Sequence, residues 1–108
     1  MAKLEQIVNR DFNELLSSIE NGIMTGSVSA SLEEKTDFIS GSSRCSVRVF
    51  ERYSYMGGNR VSLSVTLFQS ADGPVHLSAI TSGGSQAMFL KINTFGEKAF
   101  LNKLREIL

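Results

Sequence analysis

The chain has 108 residues, about one domain's length, with 42% hydrophobic side chains and eleven basic residues against eleven acidic ones. That content supports one small core and excludes a disordered chain, and the balanced charge leaves no global field to attract nucleic acid or an anionic membrane. Cys45 is the only cysteine, so neither an intrachain disulfide nor a CxxC site can form.

The opening "MAKLEQIVNRDF" places charges among its apolar pairs, unlike a signal or transit peptide. No apolar run approaches the ~20 residues of a membrane span. A soluble protein of a bacterial-type cytoplasm, without membrane contact, is expected.

Residues 3–21 read as an amphipathic helix. Leu4, Val8, Phe12, Leu15, Leu16 and Ile19 recur at spacings of three and four, and Asn21-Gly22 gives a stop. From Met24 the period becomes two, with Gly26, Val28, Ala30 and Leu32 alternating with Ser27, Ser29 and Ser31 as in a half-buried strand. In "SLEEKTDFISGSS", Ser31 and Glu34 fit a capping box, but Leu32, Phe38 and Ile39 are too sparse for a helical stripe. A hairpin turning at Glu33–Thr36, with Gly41 as a bulge, is the favoured reading.

Three strands follow. Cys45, Val47, Val49, Tyr53 and Tyr55 share one parity, as do Val61, Leu63, Val65 and Leu67, and then Val75, Leu77 and Ala79. The other parity carries mainly serine, threonine and arginine, as expected for an antiparallel sheet covered on one side. With Tyr55 and Val61 both inward, their pairing leaves a Gly57-Gly58-Asn59 loop, and "QSADGP" supplies the next turn around Asp72-Gly73. "AMFLKI" reads as a further strand, joined through a primed turn at Gly84-Ser85. Thr94-Phe95-Gly96-Glu97 then caps a helix whose stripe is Phe100, Leu101, Leu104, Ile107 and Leu108.

Several chemistries find no support. Neither G-x-x-x-x-G-K-[ST] nor G-x-G-x-x-G is present, and Gly83-Gly84 would sit too far before the helix to share its N-terminal dipole with a phosphate. His76 is the only histidine, and its parity opposes that of Cys45, so no metal site or Cys–His pair is expected. No nucleophilic serine motif appears, and no catalytic residue or cofactor is assigned.

The distinctive stretch is "RCSVRVFERYSYMGGNR". Arg44, Arg48 and Arg52 fall on the outward parity, ~13 Å apart at strand rise, with Phe50 among them and Phe68, Ile80 and Phe89 on the same face. In one reading the arginines lie over these rings and shield them. In another the face is an association surface for a second copy or another protein partner. A nucleic-acid surface is disfavoured by the neutral total charge. Glu51 is charged on the inward parity, which favours a sheet end the helices leave uncovered, or an arginine partner there. In the alternative reading it lines a small-ligand pocket with Tyr53, Tyr55 and Asn59 beside the Gly57-Gly58-Asn59 turn.

The blocks "RCSVRVFERYSYMGGNRVSLSVTL" and "ITSGGSQAMFLKINTFGEKAFL" resemble a family of small single-domain bacterial proteins of unknown function. The resemblance covers nearly the whole chain and implies a bacterial cytoplasmic setting, with no chemistry at any position.

The expectation is therefore one α+β domain over residues 1–108. It comprises an antiparallel β-meander of five or six strands, with an N-terminal and a C-terminal helix on one face. Its expected role is non-catalytic binding, as a homodimer or with another protein, through the outer sheet face or an edge strand. The alternative is a small-molecule site, enzymatic or not, near Glu51, Tyr53 and Tyr55.

Overall fold

A computed structural model describes residues 1–27, 29–53, 60–83 and 90–108, with 90–96 described by their backbone alone. In chain order the elements are β1 (Ala2–Val8), α1 (Phe12–Gly26), β2 (Ser31–Ser40), β3 (Ser43–Tyr53), β4 (Arg60–Ser70), β5 (Val75–Gly83) and α2 (Leu90–Ile107). The strands form one antiparallel sheet in the order β1-β5-β4-β3-β2. This is the expected α+β class, with both helices on one face, although several boundaries differ from the expectation.

The first difference is at the start. Residues 2–8 form a strand paired with β5, Leu4 opposite Ala79 and Val8 opposite Val75. A four-residue spacing is even, so Leu4 and Val8 share a face of a strand as readily as of a helix. The helix begins at Phe12, where the Asp11 carboxylate accepts the Glu14 N–H at 3.0 Å.

Asn21-Gly22 does not end α1, which continues to Gly26. Gly22 lies where α2 crosses, and a Cβ there would sit 2.5 Å from Ile107 Cδ1. Close helix approach, not helix termination, places glycine here. The guanidinium of Arg10 secures the same junction, donating to Ser18 Oγ at 3.0 Å and to the Ile107 carbonyl at 3.4 Å. A cation at the last carbonyls of α2 also opposes the negative end of that helix.

The predicted strand from Met24 and hairpin at Glu33–Thr36 are replaced by the end of α1 and one continuous strand, β2. Only a register shift between Leu32 and Glu34 interrupts it. The turn falls at Gly41, whose φ of +59° suits glycine, and Ser40 pairs with Ser43 across it. Ala71, with φ of +52°, opens the β4–β5 turn, and its N–H donates to the Ser42 carbonyl at 3.0 Å, tying the two turns together.

The "AMFLKI" strand is also corrected, because residues 90–92 are helical and Thr94–Glu97 lies within α2. The dipole ground for excluding a phosphate at Gly83-Gly84 therefore lapses, and the missing nucleotide motifs remain as the reason. The proposed turns at Gly57–Asn59 and Gly84-Ser85 lie outside the described residues.

Val61, Leu63, Val65 and Leu67 of β4 and Val75, Leu77 and Ala79 of β5 face inward as predicted, meeting Phe12, Leu15, Ile19 and Ile23 of α1 and Phe100, Leu101 and Leu104 of α2. Each such burial contributes ~1.5–3 kcal/mol. Thr81, also buried there, bonds the β1 backbone through its hydroxyl, accepting from Ala2 N–H at 3.2 Å.

The Gly22 contact predicts a reversal of sign. Gly22→Ala alone should destabilise the protein, because the added methyl meets Ile107. In an Ile107→Ala background the same change should stabilise by roughly 0.5–1 kcal/mol, the helical advantage of alanine. Urea midpoints of the four proteins check this.

Candidate functional site

Strand β3 presents the opposite side from the one its sequence pattern indicated. Arg48 pairs with Val65, Phe50 with Leu63 and Arg52 with Val61, so the arginine parity faces the helices. Phe50 is fully buried and Arg48 is 5% exposed, while Cys45, Val47 and Val49 turn to the outer face. The predicted pairing of Tyr55 with Val61 is therefore replaced, since Val61 pairs with Arg52, and Phe68 lies opposite Cys45.

The helical layer supplies what an inward arginine row requires. Arg44 lies over the Phe12 ring, 3.9 Å from its centroid, and donates to Asn13 Oδ1 at 2.8 Å. Arg48 Nε donates to Glu20 Oε2 at 2.6 Å, and its Nη1 donates to Asp37 Oδ1 at 3.1 Å and the Val47 carbonyl at 2.9 Å. Arg52 lies over Phe100, 4.6 Å from the ring centroid. Phe12 and Glu20 are eight residues apart on a helix, ~12 Å, and Arg44 and Arg48 four apart on a strand, ~13 Å. The two spacings match, so one helix serves both arginines.

Charge states follow from these contacts. Desolvation works against the charged form of Arg48, but hydrogen bonds to Glu20 and Asp37 outweigh it and raise its pKa above the ordinary value. Hydrogen bonds from Ser46, at 2.5 Å, and from Arg48 lower the Asp37 pKa. Arg52 makes no ion pair among the described residues, and burial lowers its pKa.

The outer face carries a mainly apolar row among its hydroxylic residues. Register places Ile7, His76, Phe68, Cys45 and Phe38 side by side, one from each strand. Phe38 is 60% exposed, Ile7 57%, Ile80 43% and Phe68 42%. Phe68 and His76 touch with ring centroids 6.5 Å apart. Beside them lies a shallow depression of ≈ 620 Å³, lined by Glu5, Ile7, Thr66, Phe68, His76 and Ser78. Ion pairs stand at the margins: Lys3 with Glu5 at 2.9 Å, and Arg60 with Glu51 at 2.7 Å.

Of the residues singled out from sequence, the face gathers Phe68, Ile80, Glu51 and Tyr53, the core takes Arg48 and Phe50, and Arg52 is half-buried on the inner side. Glu51 is thus corrected to the outward parity, where Arg60 neutralises it. Tyr53 lies 5.5 Å from the Arg60 guanidinium, ring centroid to Cζ. Tyr55, Asn59 and Phe89 lie outside the described residues. Cys45 and His76 share a face, contrary to expectation, but Phe68 stands between them and the pair is ~10 Å apart, beyond hydrogen-bond reach. Ile7 falls in the segment that reads as a helix, and Phe38 lies just beyond the hairpin turn expected at Glu33–Thr36, so neither is assigned to this face from sequence.

A family model for a family of unknown function (DUF6054) matches residues 1–108. The chain belongs to that family. No match is found among curated proteins or among solved structures. Among the described residues of this DUF6054 member, no helix is long and apolar enough to cross a membrane.

The arginine row separates into two energetic cases. Arg48→Met should destabilise by ~1–3 kcal/mol, below the ~3–5 kcal/mol of a fully buried broken pair because Glu20 and Asp37 are partly exposed. Arg52→Met keeps the stem over Phe100 and removes a desolvated charge that has no ionic partner among the described residues, so stability should hold or rise. Urea unfolding of both variants checks the contrast.

The lowered Asp37 pKa gives a pH signature. Its contribution is fully present above the unfolded carboxylate value of ~3.9 and is lost as pH falls through the lower folded value. In that acid window the wild type should lose stability more steeply than Asp37→Asn, which lacks the ionisation. Thermal melts of the two between neutral and strongly acid pH check it.

Proposed function

We propose that this chain is a non-catalytic protein-interaction domain that pairs with a second copy of itself through the open face of its sheet. The observation that carries the reading is the mainly apolar row of Ile7, His76, Phe68, Cys45 and Phe38 across the five strands, with ion pairs at the margins of the face. Apolar groups set among hydroxyls, with charges at the rim, fit a non-obligate interface, which is only about as apolar as the rest of a protein surface.

Size and charge favour the same reading. Five strands at ~4.8 Å and about eight residues at ~3.4 Å give a face of roughly 650 Å², near the ~800 Å² per partner of a standard interface. A chain of zero formal charge meets no net repulsion from its own copy. The edge strands serve the role less well. β2 carries Glu34, Lys35 and Asp37, and β1 carries Lys3 and Glu5, and charged edges oppose strand addition.

Light scattering should give a dimer mass at tens of micromolar. Phe68→Ser combined with Ile80→Ser should return the monomer mass with the far-UV spectrum unchanged. A wild type that stays monomeric at every concentration, with Cys45 equally reactive to a thiol reagent throughout, would contradict the proposal.

A further inference from the structure

The apolar row is lopsided in a way that fits its own image. Phe38 stands out from β2 at one edge of the sheet, and the depression beside Ile7 and Phe68 lies toward the other edge. The central strand, β4, has two strands on either side. A projection at one edge and a hollow that reaches the opposite edge strand are self-complementary, as an isologous interface requires.

We infer that two copies stack face to face about a two-fold axis lying along β4, each seating its Phe38 in the other's depression over Ile7. The inference rests on the self-association reading and adds its register. Rotation about that axis exchanges β1 with β2 and β5 with β3, leaving β4 on itself. In the first row Ile7 then faces Phe38, His76 faces Cys45, and Phe68 meets its own copy. Aromatic rings meeting at an interface centre contribute beyond their buried area.

The next rows decide between this axis and its rival. In the row Lys3, Ile80, Ser64, Val49 and Glu34, the same rotation sets Lys3 against Glu34 and Ile80 against Val49. Between these rows Glu5 faces Thr36, so no like charges oppose one another. An axis crossing the strands at that middle row would instead set Ile7 on Lys3 and Phe38 on Glu34, burying apolar groups against charges. The axis along β4 pairs apolar with apolar and cation with anion.

Within one chain, Ile7 and Phe38 are four strand spacings apart, about 19 Å, far beyond the range of a nuclear Overhauser effect. A cross-peak between the Phe38 ring and the Ile7 methyls therefore arises only between copies, and it is the expected result for the full chain at NMR concentration. Phe38→Ala should weaken dimerisation by roughly tenfold or more. Lys3→Glu should weaken it by about two- to five-fold per bridge, and adding Glu34→Lys to Lys3→Glu should restore it. A wild-type dimer that lacks the cross-peak, or a charge swap that rescues nothing, overturns this packing and leaves self-association standing. A wild type that is monomeric by light scattering overturns both.

Discussion

A guanidinium taken out of water needs anionic partners, and meeting that need at Arg48 orients the whole of β3. Glu20 from α1 and Asp37 from β2 converge on it, with the Val47 carbonyl filling a remaining donor position. Once Arg48 points to the helices, strand alternation carries Arg44, Phe50 and Arg52 inward with it and turns Cys45, Val47 and Val49 out. The polar inner face of β3 and the apolar stretch of its outer face, Cys45, Val47 and Val49, are thus one decision seen from two sides. The rings of Phe12 and Phe100 make it tolerable, because their faces accept the flanking guanidinium groups while the arginine stems cover apolar surface.

That arrangement divides the inner layer into two parts. Over β4, β5 and β1 the core is aliphatic, from Val61 to Ala79, and α2 lies on it. Over β3 and β2 the layer mixes the buried Phe50 with ionic groups, and Asn13 and Glu20 of α1 and the Phe12 ring meet the arginines there. The two helices meet at Gly22 and Ile107, where the missing side chain sets the distance of approach, and Arg10 holds the end of α2 to the start of α1. A small domain can accept an ionic half-layer of this kind because the other half supplies most of the apolar burial.

The legible parts of the sequence were those with a single solution. β4 and β5 alternate between aliphatic and hydroxylic residues, so only one face of each could be buried. β3 has apolar groups on both parities, valines on one and Phe50 with long arginine stems on the other, and hydropathy alone ranks the valines first. The deciding partners, Glu20 and Asp37, are remote in sequence from Arg48. β1 escaped notice because Leu4 and Val8 continue the spacing of the helix that follows, and the Asp11 cap is the local signal that separates them. β2 is an edge strand that the helices barely cover, so it lacks the alternation by which its neighbours were recognised. Candidate site residues suffered accordingly: Phe68 and Ile80, on well-read strands, were placed on the right face, and Phe50 was not.

Phe38 and Cys45 extend the outward row of Ile7, His76 and Phe68 to the far edge only if β3 holds this parity, so the five-strand face depends on Arg48. The most direct measurement is the arginine side-chain NMR spectrum at neutral pH. A buried, doubly paired Arg48 predicts an Nε proton that exchanges slowly with water and shows cross-peaks to the Glu20 side chain. An Nε proton that exchanges as fast as that of an exposed arginine, with Val47 and Val49 methyls showing cross-peaks to Ile19 of α1, would contradict the account.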